Sequence, residues 1–245
     1  DRFNHRIQKF TSEGTFITKW RSPGRGDGQF DEPDGVAVDT SGNVYVAGGN
    51  DRIQKFTCDV VFFTKWGSAG RGQGEFSWPS GVAADSSGNV YVADSHNHRI
   101  QKFTSEGIFV TKWASYGRGN GEFYWPSGVV VDSSANVYVA DTMNHRIQKF
   151  TSDGVFMTKW GSRGSGDCEF EHPEGVAVDS AANVYVADTL NRRIQKFTSD
   201  GVFITKWGSE GSADGEFESP SGVAVDSSGD VKVVYVADCE NRRIQ

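Results

Sequence analysis

The chain has 245 residues, 36% of them hydrophobic and 13% aromatic, with 30 glycines and a formal net charge of −7. That length supports a sizeable core, and the acidic balance argues against a generic nucleic-acid binder, which needs a basic surface. No apolar run approaches the ~20 residues of a membrane span, and the three cysteines, Cys58, Cys168 and Cys239, form neither a disulfide framework nor a zinc ligand set.

The chain opens on Asp1-Arg-Phe-Asn4-His-Arg6-Ile-Gln8. Asp1 is not an initiator methionine, which is compatible with processing or with a fragment, and composition carries no compartment signal. Arg-Ile-Gln-Lys-Phe begins at Arg6 and returns at Arg52, Arg99, Arg146 and Arg193, with a clipped copy at Arg243-Ile244-Gln245. The intervals of 46, 47, 47, 47 and 50 residues mark a repeat architecture. A Thr-Lys-Trp segment follows each full copy, ending at Trp20, Trp66, Trp113, Trp160 and Trp207. A Pro-x-Gly-Val segment comes next, starting at Pro33, Pro79, Pro126, Pro173 and Pro220. In the first repeat Ala47-Gly-Gly-Asn50-Asp51-Arg52 is one residue short and lacks the aspartate of its sister turns.

The period from Gly117 to Trp160 shows the elements in order. Gly117-Arg-Gly-Asn-Gly121 predicts a flexible entry. Gly128-Val-Val-Val-Asp132 predicts a buried strand, because β-branched residues run almost unbroken between Gly and Asp. After the tight turn Ser133-Ser-Ala-Asn136 comes a second strand, Val137–Ala140, and after Asp141-Thr-Met-Asn144-His145 a third, Arg146–Phe150. Thr151-Ser-Asp-Gly154 is a hairpin turn with Gly where positive φ is needed, and Val155–Trp160 is the fourth strand. No helical pattern appears. Four short antiparallel strands per period predict a blade of a β-propeller, with the fourth strand and its Lys on the outer edge. In the last repeat Asp230-Val-Lys-Val-Val-Tyr235 carries three extra residues, which predict a bulge or a longer hairpin.

Pro-x-Gly-Val-Ala-Val-Asp, Asn-Val-Tyr-Val-Ala-Asp and Asn-x-Arg-Ile-Gln-Lys-Phe together resemble the NHL repeat over essentially the whole chain. The name-giving Asn-His-Leu is altered here, reading Asn97-His98-Arg99, Asn144-His145-Arg146 and Asn191-Arg192-Arg193. The resemblance implies an all-β propeller of four-stranded antiparallel blades, with residues 1–245 as one domain. Five repeats are counted, with part of a six-bladed or longer propeller as the alternative. Because both ends carry the same segment in the same phase, residues 1–20 are expected to complete the last blade with residues 220–245.

The hairpin turns are near copies, whereas the loops expected on the opposite face differ from repeat to repeat. That face collects Trp78, Tyr124, Trp125, His96, His98 and His145, which suit a protein, peptide or carbohydrate ligand by stacking and hydrogen bonding. The recurrent Asp-x-x-Asn-x-Arg (Asp94/Asn97/Arg99 and its copies) reads as a turn device, since a single active site needs a unique constellation. The Gly-x-Gly-x-Gly runs precede strands and lack the helix N-terminus of a phosphate loop. Asp39, Asp85, Asp132, Asp179 and Asp226, one per repeat, read as turn caps. No catalytic set, metal site or cofactor is assigned. The expected role is a non-catalytic binding scaffold. The resemblance also admits an RNA-binding domain, disfavoured by charge, and a metal-dependent propeller lyase or hydrolase.

Overall fold

A computed structural model describes residues 1–226 and 233–245. The three-residue insertion of the last repeat, where a bulge or a longer hairpin is expected, lies largely outside the described residues. The chain divides into two compact units, Asp1–Lys112 and Trp113–Gln245.

The architecture is the expected all-β propeller of antiparallel four-stranded blades. In the first unit β1 (Arg6–Phe10) pairs with β2 (Phe16–Arg21). A four-stranded sheet follows in the order β3 (Pro33–Val38), β4 (Val44–Gly48), β5 (Arg52–Phe56), β6 (Phe62–Trp66). The next sheet is β7 (Pro79–Ala84), β8 (Val90–Asp94), β9 (Arg99–Phe103), β10 (Phe109–Trp113). The second unit repeats the pattern in β11 (Pro126–Val131), β12 (Val137–Asp141), β13 (Arg146–Phe150) and β14 (Phe156–Trp160). It continues with β15 (Pro173–Val178), β16 (Val184–Asp188), β17 (Arg193–Phe197) and β18 (Phe203–Trp207), then β19 (Pro220–Asp226), β20 (Val233–Asp238) and β21 (Arg243–Ile244). The first-strand segment thus occurs in five sheets, and the clipped terminal copy of Arg-Ile-Gln pairs beside β20.

Each first strand begins at its proline, where a missing N–H costs least, and shifts register once before settling into the ladder, as between Pro126 and Val129. The second and third strands carry the core. All five residues of β8, β9, β12 and β13 are buried. In the first unit Tyr45, Ile53, Phe76, Val92 and Phe103 form one cluster; in the second, Tyr138, Ile147, Phe170, Val186 and Phe197 form its counterpart. Each cluster draws on two successive sheets, so the apolar faces are buried between blades. The outer-strand tryptophans close these interfaces: Trp66 lies 5.8 Å from Phe103, and Trp160 lies 5.9 Å from Phe197.

Three elements differ from expectation. The Asp-Thr-Met-Asn turn winds into a single 3₁₀ turn, Thr142–Asn144, and equivalents occur at Arg2–Asn4, Ser95–Asn97 and Thr189–Asn191. Three residues between paired strands are too few to show a helical period, so the pattern is silent about them. The glycine-rich entry is tied down rather than loose. Gly117 N–H donates to Phe123 O at 3.0 Å, Phe123 N–H donates to Ser115 O at 2.9 Å, and the Phe123 ring is fully buried. Finally, Thr57-Cys58-Asp59-Val60 makes the same hairpin turn as its sisters although a valine, at φ 68°, stands where Gly107 and Gly154 have φ of 83° and 84°.

Candidate functional site

The two recurrent aspartates are structural. Asp132 accepts from the amides of Ser134 and Asn136 at 2.9 Å, from Asn136 Nδ2 at 2.8 Å and from Tyr138 Oη at 3.0 Å. Asp39, Asp85 and Asp179 make the same cap in their own turns. At Asp39 burial favours the neutral acid, but hydrogen bonds from Asn43, Tyr45 and Ser41 outweigh it and hold the carboxyl below the usual carboxylate range.

The second aspartate anchors a clamp. Asp141 is fully buried and accepts from Arg146 Nε at 2.7 Å, Gln148 Nε2 at 3.0 Å, Asn144 Nδ2 at 3.0 Å and the Tyr124 amide at 2.8 Å. The other guanidinium nitrogens of Arg146 donate to the carbonyls of Arg118, Gly119 and Glu122. One carboxylate therefore fixes the 3₁₀ turn, the strand and the glycine-rich entry of its own blade. Asp94 and Asp188 repeat the arrangement. In the first repeat Gly48 takes the aspartate's place, and Arg52 Nε is buried with no hydrogen-bond partner. Burial pushes the Arg52 guanidinium below its usual range.

With these carboxylates occupied, the residues that vary between repeats define the candidate site. Two loop positions recur in each repeat: the residue closing the turn after the second strand, left-handed at His5, Asp51, His98, His145, Arg192 and Arg242, and the residue before the proline, left-handed at Glu32, Trp78, Trp125 and His172. The first includes His5, His98 and His145 (φ 50°, 56°, 53°), the second Trp78, Trp125 and His172 (φ 54°, 54°, 55°). At three boundaries the side chain at the first position accepts from the backbone amide at the second, in the following blade. His5 Nδ1 accepts from the Glu32 amide at 3.1 Å, Asp51 Oδ1 from the Trp78 amide at 2.8 Å, and His145 Nδ1 from the His172 amide at 3.3 Å.

The six predicted site residues fall into two groups, one in each unit. In the first unit the Trp78 indole lies parallel to the exposed His96 imidazole, ring centres 5.8 Å apart and planes 12° off, while the Arg2 guanidinium lies 5.3 Å above the same indole. The His96 amide donates to Ser77 O at 3.1 Å, which joins the two loops that carry the stacked rings. His98, part-buried, is held below the usual histidine range by burial and by the neighbouring His96 and Arg71. In the second unit Trp125 is exposed and packs edge-on to Tyr124, which meets the exposed Tyr116 at 5.2 Å. His145 lies near this aromatic group in sequence but turns toward the next blade. Its ring centre is 5.2 Å from that of His172, and its Nδ1 is 4.0 Å from Glu171 Oε1. Glu171 also accepts from Arg163 Nε at 3.0 Å, a bond that lowers its carboxyl below the usual range. Burial holds His145 below the ordinary histidine range. Beside it opens a cleft of about 330 Å³ lined by Arg118, Met143, Asn144, His145, Arg146 and Arg163.

Arg2, Glu171 and His172 enter these groups although sequence reasoning did not select them. The available signal was the spacing: position pairs 27 apart, 5/32, 51/78 and 145/172, meet at three blade boundaries.

The NHL repeat profile matches residues 76–103, 123–150 and 170–197. A search of curated proteins found no match. Among solved structures, virginiamycin B lyase from Staphylococcus aureus superposes with a TM-score of 0.67 at 16% identity, covering 98% of this chain and 72% of that one. A chain of the nidogen/laminin complex gives 0.64 at 18% identity, with 85% and 73% coverage. A protein of unknown function from Bacteroides thetaiotaomicron gives 0.71 at 19% identity, with 100% and 64% coverage. At these identities the likeness is one of fold.

Proposed function

We propose that this chain, an NHL-repeat β-propeller protein, acts as a non-catalytic binding scaffold that takes a protein, peptide or carbohydrate ligand on its variable loops. The observation that carries the reading is the division of labour among repeated positions. The repeated Asp, Asn, Arg and Gln side chains are spent on turns and clamps, whereas the positions that change from blade to blade present rings at two places, around Trp78 and around Trp125. Trp78 over His96, with Arg2 above, is a flat platform with cationic and hydrogen-bonding edges; Trp125 with Tyr124 and Tyr116 is a second, uncharged one. Indole faces of this kind recognise sugar C–H surfaces, proline or aromatic side chains through apolar contact and ring electrostatics. The likeness to a propeller seen in a nidogen/laminin complex supports a protein ligand.

The test is a screen of the purified chain on glycan and peptide arrays, followed by Trp78→Ala and Trp125→Ala. The reading expects hits from the wild type that weaken by about tenfold or more on loss of a ring, in line with the 1.4 kcal/mol or more of a central aromatic contact. Unchanged binding together with a lowered melting temperature overturns it and assigns the rings to packing. A second reading, catalysis, is raised by the shared fold with virginiamycin B lyase, and turnover of virginiamycin B by the wild type would establish it.

A further inference from the structure

We propose that His145, Glu171 and His172 form a binding site for a divalent transition-metal ion of the zinc class. One nitrogen from each imidazole and one oxygen of the carboxylate all lie within 4.8 Å of one another. A tetrahedral zinc with bonds of about 2.0–2.2 Å holds its ligand atoms roughly 3.3–3.5 Å apart, so modest side-chain rotation closes the set. Two imidazoles and a carboxylate are a borderline-to-hard donor set, which suits Zn²⁺, Co²⁺ or Ni²⁺ and not the all-oxygen preference of Ca²⁺ or Mg²⁺.

The backbone holds these donors in place. His145 closes the Thr142–Asn144 turn, its amide donating to Thr142 O at 3.2 Å, and His172 directly precedes the buried Pro173. The bond from the His172 amide to His145 Nδ1 is long, at 3.3 Å, and is the contact an ion would displace. Glu171 divides its oxygens. Oε1 faces His145, while Oε2 accepts from Arg163, an outer partner that orients the carboxylate as supporting residues do in metal centres. A tetrahedral ion held by three protein donors keeps a fourth position for water or an anionic group, and a cleft with Arg118 and Arg163 on its wall opens beside His145.

The same three positions in the other repeats hold His5/Asp31/Glu32, Asp51/Ser77/Trp78, His98/Tyr124/Trp125 and Arg192/Glu218/Ser219. None supplies two imidazoles and a carboxylate. At the Arg192 position an ion pair with Glu218, at 3.3 Å, does the work of joining blades without any imidazole. The departure at 145/171/172 is therefore specific to one boundary and is not required by the repeat.

The experiment uses the whole chain, stripped with a chelator, titrated with Zn²⁺ by calorimetry and with Co²⁺ for its visible spectrum. The expected result is one ion per chain, a melting temperature that rises with added Zn²⁺, and a Co²⁺ spectrum of a low-coordinate nitrogen–oxygen site. Glu171→Gln keeps the size of the side chain and should weaken binding by at least about tenfold, as should His172→Ala. His96→Ala, outside the cluster, should leave the titration unchanged. Absence of stoichiometric binding overturns the site, as does binding that survives both Glu171→Gln and His172→Ala. So does binding lost in Cys168→Ser, or a sulfur-to-cobalt charge-transfer band, either of which would assign the ion to a thiol.

Discussion

Asp141→Ala tests the clamp directly. The substitution removes the acceptor of four hydrogen bonds, from Arg146 Nε, Asn144 Nδ2, Gln148 Nε2 and the Tyr124 amide. Asp141 is 0% and Arg146 5% exposed, so the guanidinium is left buried without a countercharge. Removing one partner of a buried pair costs about 3–5 kcal/mol, most of it the desolvation of the charge left behind. The three neutral donors share the same carboxylate and do not add independently, so that range stands for the whole substitution. For a chain of this size it corresponds to a fall in melting temperature of roughly 6–20 °C. Thermal unfolding followed by circular dichroism reads the shift, and hydrogen exchange at Gly119, Gly121 and Glu122 reads whether the glycine-rich entry is the part released. The double variant Asp141→Ala/Arg146→Met removes the stranded charge and should recover part of the loss. A fall of less than about 2 °C in the single variant, or a double variant no better than the single, refutes the clamp as an energetic unit.

Four further outcomes concern individual sites. Arg146→Met leaves Asp141 buried and unpaired, whereas Arg52→Met strands no carboxylate because Gly48 stands opposite; chemical denaturation should find the Arg52 variant the less destabilised of the two. Val60→Gly relieves a β-branched residue at φ 68°, a strain of about 1–3 kcal/mol offset by about 0.5–1 kcal/mol of glycine entropy, so stability should rise by about 1 kcal/mol. The reverse change, Gly107→Ala, places a methyl group 2.6 Å from the Trp66 ring and should lower the melting temperature. Asp39→Asn probes pH: because the folded carboxyl is held below 3.8, its contribution is present above that pH and is lost as pH falls through the folded value. Urea unfolding across a pH series should show wild type and variant converging on acidification, and a constant gap would contradict the assignment.

Much of the fold was legible because each period writes the same four strands with the same punctuation. The third strand needed no adjustment, since Arg146–Phe150 is bounded by a turn on each side that carries its own signature. The first strand extends back to Pro126, because a proline pairs at a strand start without spending an N–H, and apolar patterning alone begins it at Gly128. The 3₁₀ turn and the tethered glycine loop were hidden for a different reason. The turn is too short to show a period and is tied by Asn144 to Gly117 O, 27 residues upstream, while the loop is ordered by Arg146 reaching the carbonyls of Arg118 and Gly119; a reading along the chain does not see bonds across it. The same holds for the candidate site. Trp78 and His96 were selected one loop at a time and do stack, but Glu171 and His172 gain their interest only from His145 in the preceding blade.

Several side-chain bonds that join successive blades run one way. Within the first unit His5 and Asp51 each reach forward to an amide of the next blade, and Lys55 donates forward to Ser105 O at 3.1 Å. Within the second unit His145 reaches forward to the His172 amide, and Lys149 to Ser199 O at 3.1 Å. A stack built from such contacts has polarity: each blade presents donors and acceptors to its successor that differ from those it receives from its predecessor. In nearest-neighbour terms, removing a blade's forward-reaching side chain should uncouple the blade after it while leaving the one before intact. Exchange protection would then be lost asymmetrically along the chain, so that a symmetric array of repeats unfolds with a direction.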